Sequence, residues 1–177
     1  DVMGYACLVA IMSMGRGYHC VSEVNLHQET VANDFPTPIV TSAGALINGL
    51  KVLGAKQISI ITPYMRPLTD KVVDYIEHQG IKVKESIALE IPDNLEVAAQ
   101  NPMNLLEIYK QLDLTDVDVL VVSACVQMPS LEAIDLIQAE CGIPVTSAAV
   151  CTTYEMMKKL GIEAKSAIGG ELLSGKY

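Results

Sequence analysis

The sequence predicts an α/β fold in which parallel sheet is covered by helices, and three observations lead there. Short apolar runs alternate with segments whose apolar residues recur at helical spacing, which is a βαβα pattern. Half of the residues are hydrophobic, with no Trp and one Phe. Val, Ile, Leu, Met and Ala supply that bulk, as buried parallel strands require. At 177 residues the chain can bury one large core or two smaller ones without disulfide staples.

Taken in order, Val2 to Met12 reads as a strand leading into the loop Gly15-Arg16-Gly17. Ile39 to Leu53 reads as a helix, because Ala43, Leu46, Ile47 and Leu50 share a face and Gly54 ends it. Gln57 to Thr62 is a buried strand ending at Pro63-Tyr64, Leu68 to His78 a helix closed by Gly80, and Ile81 to Leu89 a strand with one more polar face. Ile91 to Gln100 contains the turn signal Pro92-Asp93-Asn94 and reads as a functional loop with a short helix. Asn101-Pro102 opens a helix through Leu112, and Val117 to Val122, all Val, Leu and Asp, is the central strand. Pro129 fits the first position of a helix to Glu140, stopped by Gly142. Pro144 to Thr146 is a short strand, and Ala148 to Leu160 a helix ended by Gly161. No internal repeat, low-complexity tract or Gly/Ser linker is read.

Composition removes several function classes. Twelve Lys and Arg against 21 Asp and Glu leave a net charge of -9, and the longest basic cluster is Lys158-Lys159, so nucleic acid is not an expected partner. No apolar run reaches the ~18 residues of a membrane span. The opening segment begins with Asp1 and has no basic region before its apolar stretch, unlike a signal peptide. The five cysteines (Cys7, Cys20, Cys125, Cys141 and Cys151) contain no C-x-x-C, which suggests neither a disulfide framework nor a zinc ribbon. Reduced thiols and a cytoplasmic location are therefore expected, with no metal.

In open α/β sheets ligands bind beyond the carboxyl ends of the strands. Here those ends are Cys7, Thr62-Pro63-Tyr64, Asp93-Asn94, Ser123-Ala124-Cys125 and Thr146-Ser147. Cys125 precedes the helix opened by Pro129, and a nearby helix N-terminus favours thiolate. The plain alternative is a small residue filling a gap, and it holds for Cys7 as well. Tyr64 offers a hydroxyl to a carboxylate or enolate oxygen, or packs on the rim. Asn94 offers an amide, or serves its turn. Arg66 attracts an acidic substrate, or is a solvated charge. His19 beside Cys20 is the one suggestive Cys/His neighbour, with a solvated or capping role the simpler reading. Gly15-Arg16-Gly17 is too short for a dinucleotide fingerprint. Gly169-Gly170 approaches an anion or makes a turn. Cys20, Cys141 and Cys151 read as structural.

Several segments together resemble the maleate cis-trans isomerases, within the aspartate/glutamate racemase superfamily that also holds the arylmalonate decarboxylases. They are Gly4-Tyr5-Ala6-Cys7-Leu8-Val9-Ala10, Thr41-Ser42-Ala43-Gly44-Ala45-Leu46, Ile61-Thr62-Pro63-Tyr64, Asp93-Asn94-Leu95 and Ser123-Ala124-Cys125-Val126-Gln127-Met128-Pro129-Ser130. The two Cys motifs and the interval between them are the specific part. The resemblance implies two pseudo-symmetric α/β lobes with parallel sheets, one cysteine from each facing across a cleft. It divides the chain into residues 1–35 and 146–177 as a partial lobe one and residues 36–145 as lobe two. The family also carries an Asn in a segment that would precede Asp1, so the first strands of lobe one are expected to lie outside this chain, which alone would neither close the cleft nor fold well.

What the resemblance implies for chemistry is a cofactor-independent conversion of maleate to fumarate. Cys7 would be the nucleophile, Cys125 the proton donor, and Tyr64 and Asn94 would hold the dicarboxylate. Thiolate addition turns the double bond of maleate into a single bond that can rotate. A homo-oligomer is implied by resemblance only. Two other readings stand beside this one: a racemase or arylmalonate-type decarboxylase of the same superfamily, and a non-catalytic small-ligand-binding α/β module in which both cysteines are packing residues.

Overall fold

A computed structural model describes residues 1–177. Two parallel sheets carry the architecture. The smaller pairs β1 (Met3–Tyr5) with β2 (Ile39–Thr41), and the connection between them holds α1 (Leu8–Met12) and α2 (Tyr18–Ala32). The larger sheet has the order β4-β3-β5-β6, formed by β3 (Gln57–Thr62), β4 (Lys82–Ala88), β5 (Val119–Ser123) and β6 (Val145–Ser147). Its crossovers contain α4 (Arg66–His78), then α5 (Asn94–Ala98) and α6 (Leu105–Ile108), then α7 (Leu131–Cys141). Two more helices, α3 (Ser42–Val52) and α8 (Ala148–Lys159), follow β2 and β6.

Central β3 and β5 are buried almost throughout, which is why both read as continuous runs of Ile, Val and Leu. The expected strand at 117–122 is thus β5, shifted by one or two residues at each end. One apolar core joins both sheets. It runs from Leu8 and Ile11 of α1 through Leu46, Ile47 and Leu50 of α3 to Ile58, Leu120 and Leu172. Fully burying a side chain such as Leu50 stabilises by roughly 1.5–3 kcal/mol.

Several expectations change. The strand expected over Val2 to Met12 stops at Tyr5, and Leu8 to Met12 is helical; the apolar run was long because β1 and the buried face of α1 are contiguous. Ile39 to Thr41 is a strand rather than the start of a helix, with Thr41 capping α3 by accepting from the Gly44 N–H. That strand pairs with β1, so the sheet boundary does not follow the expected division at 35/36, and β6 joins the larger sheet across the expected division at 145/146. Helix α2 has no counterpart in the sequence reading, because its apolar residues Val21, Val24 and Val31 form no buried stripe and only His19 and Ser22 are buried. Pro129 precedes α7, whose cap position is Ser130. Residues 102–111 form one short α-helix flanked by two 3₁₀ turns, not a single helix to Leu112. No helix is long and apolar enough to cross a membrane.

The two sheets also reveal a repeat that the sequence reading passed over. Val-Thr-Ser-Ala occurs at 40–43 and again at 145–148, each time across a strand end and a helix start. Ser147 caps α8 by accepting from the Val150 N–H, as Thr41 caps α3. The helices that follow pack together, α3 on α8. They come close at Gly49, where an added Cβ would stand 2.6 Å from Cys151 Sγ. Gly49→Ala should therefore force the helices apart and lower stability by about 1–3 kcal/mol, read as a lower urea midpoint with an unchanged denaturant slope; an unshifted midpoint would show that the helix pair yields freely.

Candidate active site

Four strand ends converge on one cavity. Cys7 follows β1, Tyr64 follows β3, Asn94 opens α5 beyond β4, and Cys125 follows β5, and all four line the same cavity of about 100 Å³. The carboxyl ends of both sheets thus open on one space, where the rule for open parallel sheets places a ligand. Thr146-Ser147 does not reach it. Ser147 instead lines a larger groove of about 560 Å³ beside α7 and α8, and Val126 borders both.

The two cysteines have unlike settings. Cys7 is exposed and occupies the cap position of α1, in extended conformation, without a capping bond from its side chain. Cys125 is 8 % exposed. It lies six positions before the first residue of α7, in an irregular loop rather than directly at that helix's N-terminus as the sequence suggested. A buried hydroxyl holds its main chain: Ser123 Oγ donates to the Cys125 carbonyl at 2.8 Å and accepts from the Cys125 N–H at 3.3 Å. The β5–β6 register shifts between Val121 and Ser123, a bulge of the kind that re-aims a side chain beside a site.

Tyr64 sits between them. Its hydroxyl donates to the Ala124 carbonyl at 3.1 Å, on the peptide just before Cys125. Burial pushes its phenol far above the ordinary value, and Cys125 and then Cys7 push the same way, so Tyr64 remains a protonated donor at any working pH. The Asn94 side chain makes no hydrogen bond within the protein, while its backbone carbonyl accepts from Gln127 Nε2 at 2.7 Å. Asp93 caps the short helix behind it by accepting from the Leu95 N–H at 2.7 Å. The Asn94 amide is thereby held at the cavity wall with its polar atoms uncommitted.

Backbone donors complete the site. Leu8 and Val9 beside Cys7, and Val126 and Gln127 beside Cys125, line the cavity, and their N–H groups make no hydrogen bond within the protein. Unpaired backbone donors are costly when dry, so two such pairs on residues that line one space are donors an anion there could use. No three His, Cys, Asp or Glu side chains converge as a group that could hold a metal.

Other candidates fall elsewhere. Arg66 is engaged by Asp70 at 3.0 Å and by Ser86 Oγ at 2.6 Å, so its charge is spent on the helix start rather than offered to the cavity. The Gly169 and Gly170 N–H groups do meet an anion, and it is the protein's own: the Asp135 carboxylate accepts both, at 3.1 and 2.9 Å. His19 is not solvated, being buried against Tyr75. Ser123 and Gln127 lie in segments the sequence singles out, but it assigns neither a role; their contacts to Cys125 and Asn94 come from the structure. Ser123 had a usable signal, a hydroxyl at a strand end where local turns form. Gln127 had none, because its partner is far away in the chain.

Comparison with known proteins gives the chain a family. The family model for arylmalonate decarboxylase matches residues 5–173. A maleate isomerase of Geobacillus stearothermophilus is 54 % identical over 177 residues, which are 100 % of this chain and 70 % of that protein. The solved structure of a cysteine-to-alanine variant of a Pseudomonas putida S16 maleate isomerase with maleate is 58 % identical, with a TM-score of 0.99, over 100 % of this chain and 71 % of that one. A Nocardia farcinica maleate cis-trans isomerase variant with a covalently bound succinylcysteine intermediate is 38 % identical, with a TM-score of 0.95, over 100 % of this chain and 72 % of that one.

Exposure orders the thiols for a simple test. Cys7 and Cys20 are exposed, whereas Cys151 is buried and burial pushes its thiol up to about 12. Iodoacetamide at mildly alkaline pH should label Cys7 and Cys20 first and leave Cys151 unmodified in the native protein, as read by peptide mass spectrometry. Labelling of Cys151 as fast as Cys20 would contradict the packing described.

Proposed function

The chain belongs to the arylmalonate decarboxylase family and, within it, to the maleate isomerases, and we propose that it converts maleate to fumarate through a succinyl-cysteine intermediate. The observation that carries this reading is the pairing of each cysteine with free backbone donors in one cavity: Cys7 with Leu8 and Val9, Cys125 with Val126 and Gln127. A cis-diacid presents two carboxylates one double bond apart, and two donor sets flanking two thiols suit that shape. With a net charge of -9, neutral N–H groups rather than the global field must attract the dianion.

The steps follow from the residue types. Cys7 thiolate adds to C2, its electron pair forming the C–S bond while the alkene pair moves toward C3 and the adjacent carboxylate. Tyr64, Asn94 and the N–H groups stabilise that charge. The Cys125 thiol protonates C3, giving a succinyl thioether with a freely rotating C2–C3 bond. After rotation Cys125 thiolate removes the proton from C3, the double bond re-forms, and the Cys7 thiolate departs. Both thiols return to their starting states, so no redox partner is consumed, and in this reading neither metal nor organic cofactor takes part. The exposure of Cys7 suits the attacking sulfur, and the enclosed position of Cys125 suits a proton kept from water.

The same reading treats the two sheets as the cores of two lobes and the enzyme as a cytoplasmic homo-oligomer. Racemase and decarboxylase chemistry remain its competitors, because they would use the same pair of thiols on other acids. Incubation with maleate, aspartate and an arylmalonate in separate assays should show consumption of maleate alone. Cys7→Ala should abolish both turnover and the adduct seen by intact mass spectrometry, and full activity in that variant would sink the assignment. Cys125→Ser should lower kcat while the adduct accumulates, and Tyr64→Phe should lower kcat by about a hundredfold, the effect of one lost donor to a developing oxyanion.

A further inference from the structure

We propose that Arg16 and His19 are positioning residues that hold Cys7 in register with Cys125, by clasping the elbow behind α1 onto α4. The proposal rests on the reading of Cys7 and Cys125 as the reacting pair.

Helix α1 has five residues, with Cys7 at its cap position. So short a helix has no stability of its own, and its direction is set by what holds its ends and its buried face. Leu8, Ile11 and Met12 are buried, and α1 packs against α2, α3 and α4. Beyond it the chain turns through Gly15 and Gly17, at φ of 116° and 72°. An added Cβ would meet nothing within 4 Å at either glycine, so it is backbone conformation and not space that calls for glycine there. The elbow between them points Arg16 at α4.

Two adjacent residues of α4 receive it. Arg16 Nε donates to Asp74 Oδ2 at 2.9 Å, and a second guanidinium nitrogen donates to Asp74 Oδ1, so the pair is bidentate. His19, in the first turn of α2, donates its backbone N–H to Tyr75 Oη at 3.0 Å. The same oxygen lies 2.5 Å from His19 Nδ1. Donation from the Tyr75 hydroxyl to Nδ1 gives the buried phenol proton its acceptor, and in that arrangement His19 is the neutral Nε2–H tautomer. Tyr75 is 1 % exposed and His19 8 %.

The clasp links elements of different sheets. Helices α1 and α2 connect β1 to β2, whereas α4 connects β3 to β4. Cys7 therefore stands at one end of a helix roughly 8 Å long, and the other end is followed by the elbow that fixes it to the sheet carrying Tyr64 and Cys125. The Arg16–Asp74 pair is solvent-exposed and contributes little to overall stability. Its effect should therefore appear in catalysis and not in melting.

Acid should open the clasp. The titratable groups facing His19 are Tyr75 from α4, Glu23 and Cys20 from α2, and Lys51 from α3, while α1 and β2 present none. Burial holds the imidazole below its ordinary value against the pull of Glu23. A protonated His19 would aim two N–H groups at Tyr75 Oη and leave the phenol proton without an acceptor. With the folded value lowered, the interaction is intact above about pH 6.5 and is lost as pH falls through the folded value.

The test uses Arg16→Gln, Tyr75→Phe and the charge swap Arg16→Asp with Asp74→Arg. The first two should each lower kcat by about tenfold with KM changed less than about twofold, the signature of misplaced reacting groups. The swap should recover most of the Arg16→Gln loss. Melting temperature should stay near wild type for Arg16→Gln, and NMR should show the His19 titration moving up toward its ordinary value in Tyr75→Phe. Cross-linking of Cys7 to Cys125 by dichloroacetone, in a Cys20→Ser background, gives a readout that needs no turnover, and it should slow by a similar factor in both variants. Wild-type kcat and cross-linking rates in Arg16→Gln and Tyr75→Phe would overturn the clasp. Slowed cross-linking in a protein that leaves maleate untouched would support the clasp and overturn the isomerase reading instead.

Discussion

The contact on which the rest depends is the packing of α3 on α8. Each helix leaves the end of a strand, one from the smaller sheet and one from the larger, and each is capped at that end by a hydroxyl, Thr41 or Ser147. Gly49 lets the two approach until Cys151 lies where a Cβ would be. This seam, continuous with the core through Leu46, Ile47 and Leu50, joins two parallel sheets with their carboxyl ends opening on one cavity. Cys7 and Cys125 share a space because the sheets do.

Around that cavity the protein solves an electrostatic problem without cations. Arg66 is tied to Asp70 and Ser86, and the Gly169-Gly170 donors are filled by Asp135. What remains uncommitted is neutral: the Asn94 amide and the N–H groups beside each cysteine, with the Tyr64 hydroxyl between them donating to the Ala124 carbonyl. Neutral donors oriented by the backbone hold an anion without forming a tight ion pair with it, and they need no reorganisation as charge moves during reaction. Such donors work only if the loops carrying them are rigid. Ser123 under Cys125, Gln127 across to Asn94, and the Arg16 and His19 contacts behind Cys7 meet that need.

Most of the larger sheet was legible before any coordinates, because buried parallel strands announce themselves as apolar runs. Val119 to Ser123 and Gln57 to Thr62 lie within a few residues of where the pattern put them. Errors gathered in the smaller sheet for a physical reason. Strands of three residues, such as Met3–Tyr5 and Ile39–Thr41, are too short to establish a period, and each runs into a helix whose apolar face extends the same hydrophobic stretch. Helix α2 failed the opposite test, since its apolar residues Val21, Val24 and Val31 are exposed and scattered, and with only His19 and Ser22 buried it shows no stripe to read.

By itself the sequence determined the kinds of chemistry available: thiols, a phenol and an amide at strand ends, in a chain with the apolar content to bury parallel sheets. It also carried the resemblance that pointed to a cis-diacid. Tertiary structure decided which of those ends meet. It brought four of the five strand ends into one cavity and left Thr146-Ser147 in the neighbouring groove, turned Arg66 away, and buried His19 against Tyr75. The reason is that a strand end is specified by local residues, whereas convergence depends on helix packing between segments far apart in the chain, where a glycine opposite a cysteine sets the spacing.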